Sequence, residues 1–169
     1  MNQNEFQEAA TYWTNQDMTA VKVPRQELIQ MVEAYIKDND TCALATGTGS
    51  FVRCTPIEYS YIEGAFYMFS EGGQKFIGLE KNDNVCLAIF DKYEGFGKLM
   101  GMQITGKASI IEPYSMEYDK LVAYKNIPLE TLKKMAHPMH LIKVVPIRVE
   151  FLSSECKKKG FSSRQVMEY

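Results

Sequence analysis

The stretch Tyr67-Met-Phe-Ser-Glu-Gly-Gly-Gln-Lys75 carries residues whose types and spacing suit an anion. Ser70, Gly72, Gly73 and Lys75 fall where a strand-like run ends and a helical one begins. The first turn of a helix presents unpaired N–H groups and a partial positive charge, and both attract anions. Glycines let a phosphate approach the backbone, and a lysine adds a full charge. A plain strand-to-helix turn with a surface lysine has the same composition, so the stretch gains meaning only from what stands near it.

Arg53 is the next candidate. It lies in a hydrophobic strand-like run two residues before Thr55, and a guanidinium fork matches phosphate oxygens. The plain alternative is an outward arginine on a half-exposed strand. If Phe51–Ile62 and Ala65–Ser70 form a hairpin through Glu63-Gly64, Arg53 and the Ser70–Lys75 turn can converge. Glu58, five residues further on, then points to the opposite face and reads as a solvated strand residue. His137 and His140 flank Pro138, but no carboxylate or thiol pattern beside them completes a metal site. Cys42, Cys54, Cys86 and Cys156 form no Cys-x-x-Cys pair and read as reduced, mostly buried thiols. No Ser, His and Asp arrangement marks a nucleophile, and no protein acid or base can be named.

The elements that must position these residues follow from periodicity. Phe6, Ala9, Ala10 and Trp13 give a helix over 4–16, and a second helix follows Pro24 with Leu28, Met31, Val32, Tyr35 and Ile36 as its apolar stripe. Strands are expected at Thr41–Gly47, Phe51–Ile62, Ala65–Ser70, Val85–Phe90, Leu99–Ile111 and His140–Leu152, with a helix over Gln74–Lys81. Helical patterns recur around Tyr114–Val122 and from Pro128 to Met135, and a polar tail runs from Ser153. Strands joined by short turns argue for an antiparallel barrel with peripheral helices rather than a βαβ sheet. No Gly-x-Gly-x-x-Gly joins a strand to a helix, which argues against a Rossmann site.

Composition narrows the function classes. The 169 residues suit one core; 46% are hydrophobic and 24% charged, as in ordinary globular proteins. A net charge of −2 gives no global attraction to nucleic acid or anionic membrane, and Lys157-Lys-Lys159 is too short to change that. No apolar run approaches the roughly 20 residues that span a bilayer. The N-terminus has no basic region followed by an apolar core, so a cytoplasmic location is expected.

The order of these features resembles the pyridoxamine 5′-phosphate oxidase-like family, the FMN-binding split barrels. The resemblance rests on Arg53 in the second strand, the aromatic strand ending at Ser70 and the glycine turn with Lys75. It continues through the helix ending at Asn82 and the strand Val85–Phe90. Gln103-Ile-Thr-Gly-Lys-Ala108 is similar to that family's central strand, and Val145-Pro-Ile-Arg-Val-Glu-Phe151 to its last one. The similarity covers about residues 41–152.

The resemblance implies a mainly β fold, a six-stranded antiparallel split barrel, usually a homodimer with FMN at the subunit interface. On this basis residues 1–40 form an N-terminal helical extension, 41–156 the FMN-binding barrel and 157–169 a C-terminal tail. Arg53 and Lys75 match the residues that hold the FMN phosphate, with Ser70 and Gln74 beside them. Thr55, Pro56 and Ile57 would lie along the ribityl chain and ring. The family's glutamine near the isoalloxazine falls near Gly101, with Gln103 on the same strand face. The chain departs from the family pattern in three places. Gln74 stands where a second cation is usual at the helix start, and Glu58 stands where the family has a lysine. Gly160-Phe-Ser-Ser-Arg164 replaces the Arg-Leu-His-Asp-Arg run that grips a substrate phosphate, so only Arg164 survives. The implied function is an FMN-dependent oxidoreductase acting on an unassigned small molecule, with pyridoxamine phosphate itself disfavoured by these departures and NAD(P)H as a candidate electron donor. The alternatives are a split barrel that carries flavin or haem without turnover, with His137 or His140 as the axial ligand to test, and a structural dimer with an empty barrel.

Overall fold

The computed structural model describes every residue from Met1 to Tyr169. Its elements are α1 (Gln3–Met18), α2 (Arg25–Asp38), β1 (Thr41–Thr48), β2 (Phe51–Glu58), β3 (Ser60–Ile62), β4 (Ala65–Ser70), α3 (Lys75–Lys81) and β5 (Asn84–Phe90). These are followed by β6 (Met100–Ile111), α4 (Met116–Tyr124), α5 (Leu129–Lys133), β7 (His140–Ser153), α6 (Ser154–Lys158) and β8 (Arg164–Glu168). The strands form one antiparallel sheet in the order β2-β1-β5-β6-β7-β4-β3, with β8 paired to β7. β7 joins the halves. Its first residues, 140–144, pair with β4, and residues 148–152 pair with β8.

Alternation along each strand separates an inner from an outer face. Leu44, Leu87, Ile104 and Val149 form one inner row across β1, β5, β6 and β7, and all four are fully buried. Phe66 and Met68 close the same core from β4, and Val32 and Ile36 of α2 pack into it. The other side of β4, Ala65 and Tyr67, meets Tyr118, Leu121 and Val122 of α4 in a second core. This is why five of the six β4 residues are buried: the strand lies between two layers. β6 and β7 shift register at Thr105/Gly106, where a Cβ on Gly106 would stand 2.7 Å from Val144 Cγ1, so only glycine permits the approach.

Three expectations change. The barrel has eight strands, not six. The run Phe51–Ile62 breaks at Tyr59, whose ring is buried with its hydroxyl on the Ile36 carbonyl at 2.7 Å, while its N–H donates to Asp40 O, also at 2.7 Å. As a result β2 pairs with β1 and only Ser60–Ile62 pairs with β4, so Arg53 is not in the hairpin that carries Ser70. The stretch from Ser153 is not a free polar tail: α6 and β8 pack onto the sheet with Cys156, Gln165 and Met167 buried. Gln165 is polar yet interior because its amide bonds the Val23 N–H at 2.9 Å and the Val21 carbonyl at 3.1 Å, partners 140 or more positions away in sequence. No helix is long and apolar enough to cross a membrane.

Candidate functional site

The junction after β4 is built from its backbone. Ser70 is buried, and its hydroxyl accepts the Gly72 N–H and donates to the Gly72 carbonyl, both at 3.1 Å. Gly72 (φ 141°) and Gly73 (φ 107°) take conformations that side chains resist, which turns the chain sharply into α3. Gln74 is exposed at the helix entry with no side-chain cap bond. Lys75 is only 7% exposed. Its ammonium donates to the Gly72 carbonyl and lies 5.4 Å from the Phe76 ring centroid, and it has no carboxylate partner. Burial alone pushes its pKa below the ordinary lysine value.

α3 then lies across the end of β1. Its Gly78 faces Thr46 and Gly47, and the Asn82 amide donates to the Gly47 carbonyl at 3.0 Å. Thr46 is 3% exposed and its Oγ1 has no hydrogen-bond partner. Arg53 is the cross-strand partner of Thr46, so it projects from the face that α3 covers. It is exposed and makes no ion pair. On the other side, His140 is the cross-strand partner of Ser70, and its ring packs on Phe76 at 4.8 Å. His140 therefore belongs to this end of the barrel, whereas His137 is exposed in the turn beyond α5. Only the β4–β7 register reveals the difference between them.

The expected site residues divide between the two faces. Arg53, Thr55 and Ile57 share the inner side, opposite Thr46, Leu44 and Cys42. Ser70 shares it by alternation with Phe66 and Met68, and Lys75 comes to it on α3. Pro56 and Gln103 lie outside, in the row Pro56–Ala43–Ala88–Gln103–Glu150. One chain thus gathers the phosphate candidates at one barrel end and leaves Gln103 on the opposite surface.

Gln103 lines a cleft of about 320 Å³ with Phe90, Gly101, Glu150, Trp13 and Arg164. Arg164 bonds Asp17 and reaches Glu150 Oε2 at 3.0 Å, with the Trp13 ring 5.4 Å from its guanidinium carbon. Arg148 takes Glu150 Oε1 at 3.0 Å and also pairs with Glu168. These carboxylates raise both guanidinium pKa values despite desolvation. Trp13, Asp17 and Glu150 are the site residues sequence reasoning missed, while His140, weighed there only as a metal or haem ligand, gains its place from the β4–β7 register. Trp13 carried a signal only as part of the apolar stripe of α1, and α1 buries no residue.

A curled antiparallel sheet capped by α3, with helices outside, is a split barrel of the FMN-binding type. The family profile of pyridoxamine 5′-phosphate oxidase matches residues 28–153, and the chain belongs to that family. A FAD-binding protein from Mesorhizobium loti is similar at 15% identity and TM-score 0.59, over 72% of this chain and 89% of that one. Campylobacter jejuni ChuZ is similar at 17% identity and TM-score 0.65, over 87% of this chain and 61% of that one. HutZ, the haem storage protein of Vibrio cholerae, is similar at 13% identity and TM-score 0.58, over 69% of this chain and 88% of that one. At these identities the likeness is one of fold. No protein of curated function matches.

Proposed function

We propose that the chain is an FMN-binding flavoprotein and an oxidoreductase acting on a small molecule, working as a homodimer in the cytoplasm with FMN at the subunit interface. The observation that carries this reading is Lys75: a lysine only 7% exposed as a residue, whose ammonium has no carboxylate to balance it and is disfavoured by burial. Burying an unpaired charge is costly, and a phosphate supplies the missing counter-ion. Arg53 stands uncommitted on the face that α3 covers, and the buried, unpartnered Thr46 hydroxyl marks the same end of the barrel. The residues present therefore fit a phosphate-bearing cofactor.

In this reading Lys75 and Arg53 hold the phosphate, Ser70 fixes the turn that presents Lys75, and Gln74 lies at the rim. Thr55 and Ile57 line the inner side of β2, along the ribityl chain and ring, and Pro56 fixes that strand's backbone. Gln103 lies on the opposite face of its own sheet, so this reading gives it no contact with the flavin held by its own chain. When bound, FMN supplies the redox chemistry, and NAD(P)H is the candidate donor. Purified protein should show flavin absorbance near 450 nm, approximately the ordinary flavin position. Arg53→Ala combined with Lys75→Ala should weaken FMN by about 3 kcal/mol or more while riboflavin, which lacks the phosphate, changes little. Equal losses for both ligands would remove the phosphate assignment.

Haem carriage without turnover is the second reading. It is favoured by the similarity to HutZ, a haem storage protein, and by His140, half-buried beside Phe76. A Soret band in place of flavin absorbance, lost in His140→Ala, would select it.

A further inference from the structure

The outer cleft has a chemistry unlike that of the barrel end. Its floor is flat: Ala88 and Gly101 carry little or no side chain, and a Cβ on Gly101 would already stand 3.2 Å from the Phe90 Cβ. Trp13 forms one wall, with about half of its surface, 54%, in solvent. The Gln103 side chain is exposed and bonds to nothing in the chain, so its amide can both donate and accept.

The charges nearby are already used. Arg164 matches the family position that grips a substrate phosphate, yet its side chain is 13% exposed, bonded to Asp17 and held by Glu150 at 3.0 Å. Arg148 lies 3.7 Å from Asp17, binds the other Glu150 oxygen and pairs with Glu168. Two guanidiniums are thus shared among three carboxylates, and neither is free for an incoming anion. A phosphate arriving here meets Asp17 and Glu150 beside the cation it needs, and like charges at that range repel strongly where water is scarce.

We propose that this cleft binds an uncharged planar ring, stacked on Trp13 and hydrogen-bonded at its edge by the Gln103 amide, and that it turns away phosphorylated rings because Asp17 and Glu150 occupy Arg164. Aromatic walls with one convergent amide favour flat, neutral ligands. α1 is the specificity element, since it delivers both Trp13 and Asp17. As an assignment of substrate class the inference rests on the flavoprotein reading; as a binding claim it stands on the cleft alone.

Trp13 is the only tryptophan in the chain, so its emission reports this cleft. FMN-free full-length protein is titrated with menadione, an uncharged planar quinone, and with pyridoxamine 5′-phosphate, and the same pair is repeated by calorimetry on FMN-loaded protein. Menadione should quench emission to saturation, and Gln103→Ala should weaken it at least five-fold. Pyridoxamine 5′-phosphate should bind at least ten-fold more weakly than menadione. Asp17→Asn releases Arg164 and should raise pyridoxamine 5′-phosphate affinity about ten-fold with menadione unchanged. Glu150→Gln serves the same purpose if the first variant misfolds. Equal or tighter binding of pyridoxamine 5′-phosphate to the unaltered chain, or quenching by menadione that rises without saturating, overturns the proposal. FMN retention is read separately from flavin absorbance, so failure of the flavin reading and failure of the cleft are told apart.

Discussion

Gly78 of α3 rests directly on Thr46 of β1: a Cβ added at Gly78 would come 3.0 Å from the Thr46 Cβ and 2.9 Å from the Gly47 backbone nitrogen. The helix that carries Lys75 is seated on the strand that faces Arg53. Gly78→Ala must therefore lift α3 against backbone that cannot yield. The expected cost is about 1–3 kcal/mol in urea unfolding, as for other overpacked contacts. FMN affinity should fall more than riboflavin affinity, because the lift moves Lys75. An alanine variant with unchanged stability would mean that the helix seat is looser than the contact implies.

Lys75 opposes stability to binding. Removing an ammonium that burial disfavours should stabilise the cofactor-free protein, and Lys75→Met keeps the stem that covers the core. We expect a gain of about 1 kcal/mol in apo stability together with loss of FMN. The pH dependence has a definite sign. The folded pKa of Lys75 lies below the ordinary lysine value, so in that alkaline window the unfolded chain holds more protons. This group's contribution to apo stability therefore rises with pH across the window, while FMN affinity falls as Lys75 loses its proton. Urea midpoints and FMN titrations in alkaline buffers, compared with Lys75→Met, measure both slopes.

On the second core, Glu117 accepts from Lys143 at 2.7 Å and from the Tyr67 hydroxyl at 2.9 Å. Chiefly through Lys143, its carboxyl is held below the ordinary value. Stability from this pair is present above the unfolded carboxyl pKa and is lost as pH falls through the lowered folded one. The side chains are 26% and 37% exposed, so solvent screening keeps the effect modest. Glu117→Gln should cost under about 1 kcal/mol at neutral pH and flatten the acid limb of the stability profile. Unfolding curves from neutral to acid pH test it.

The four thiols should separate by reactivity. Cys54 is exposed, Cys86 half-buried, and Cys42 and Cys156 are buried. Burial pushes Cys42 up to about 12, so almost no thiolate forms there at neutral pH. Labelling with a thiol-reactive chromophore should show one fast phase, abolished by Cys54→Ser, with Cys42 and Cys156 reacting only on unfolding. A fast phase that survives Cys54→Ser would contradict the burial pattern.

Local signals were enough for much of this. Alternation in Val85–Phe90 and His140–Leu152, the Pro24 and Gly72-Gly73 boundaries, and the order of Arg53, Ser70 and Lys75 identified the strands, the helices and the phosphate candidates. These features depend on residues a few positions apart, and the chain states them directly. β8 was not legible, because Gln165 is made interior by Val21 and Val23, which no local pattern can announce. The tertiary structure also decided the pairing. Tyr59 breaks the long strand, hands β2 to β1, and leaves α3 to bring Lys75 to the face of Arg53. Register placed His140 beside Ser70 and Gln103 on the far surface. It was likewise only in three dimensions that Asp17 closed on Arg164, because an ion pair spanning 147 positions depends on where two remote elements meet.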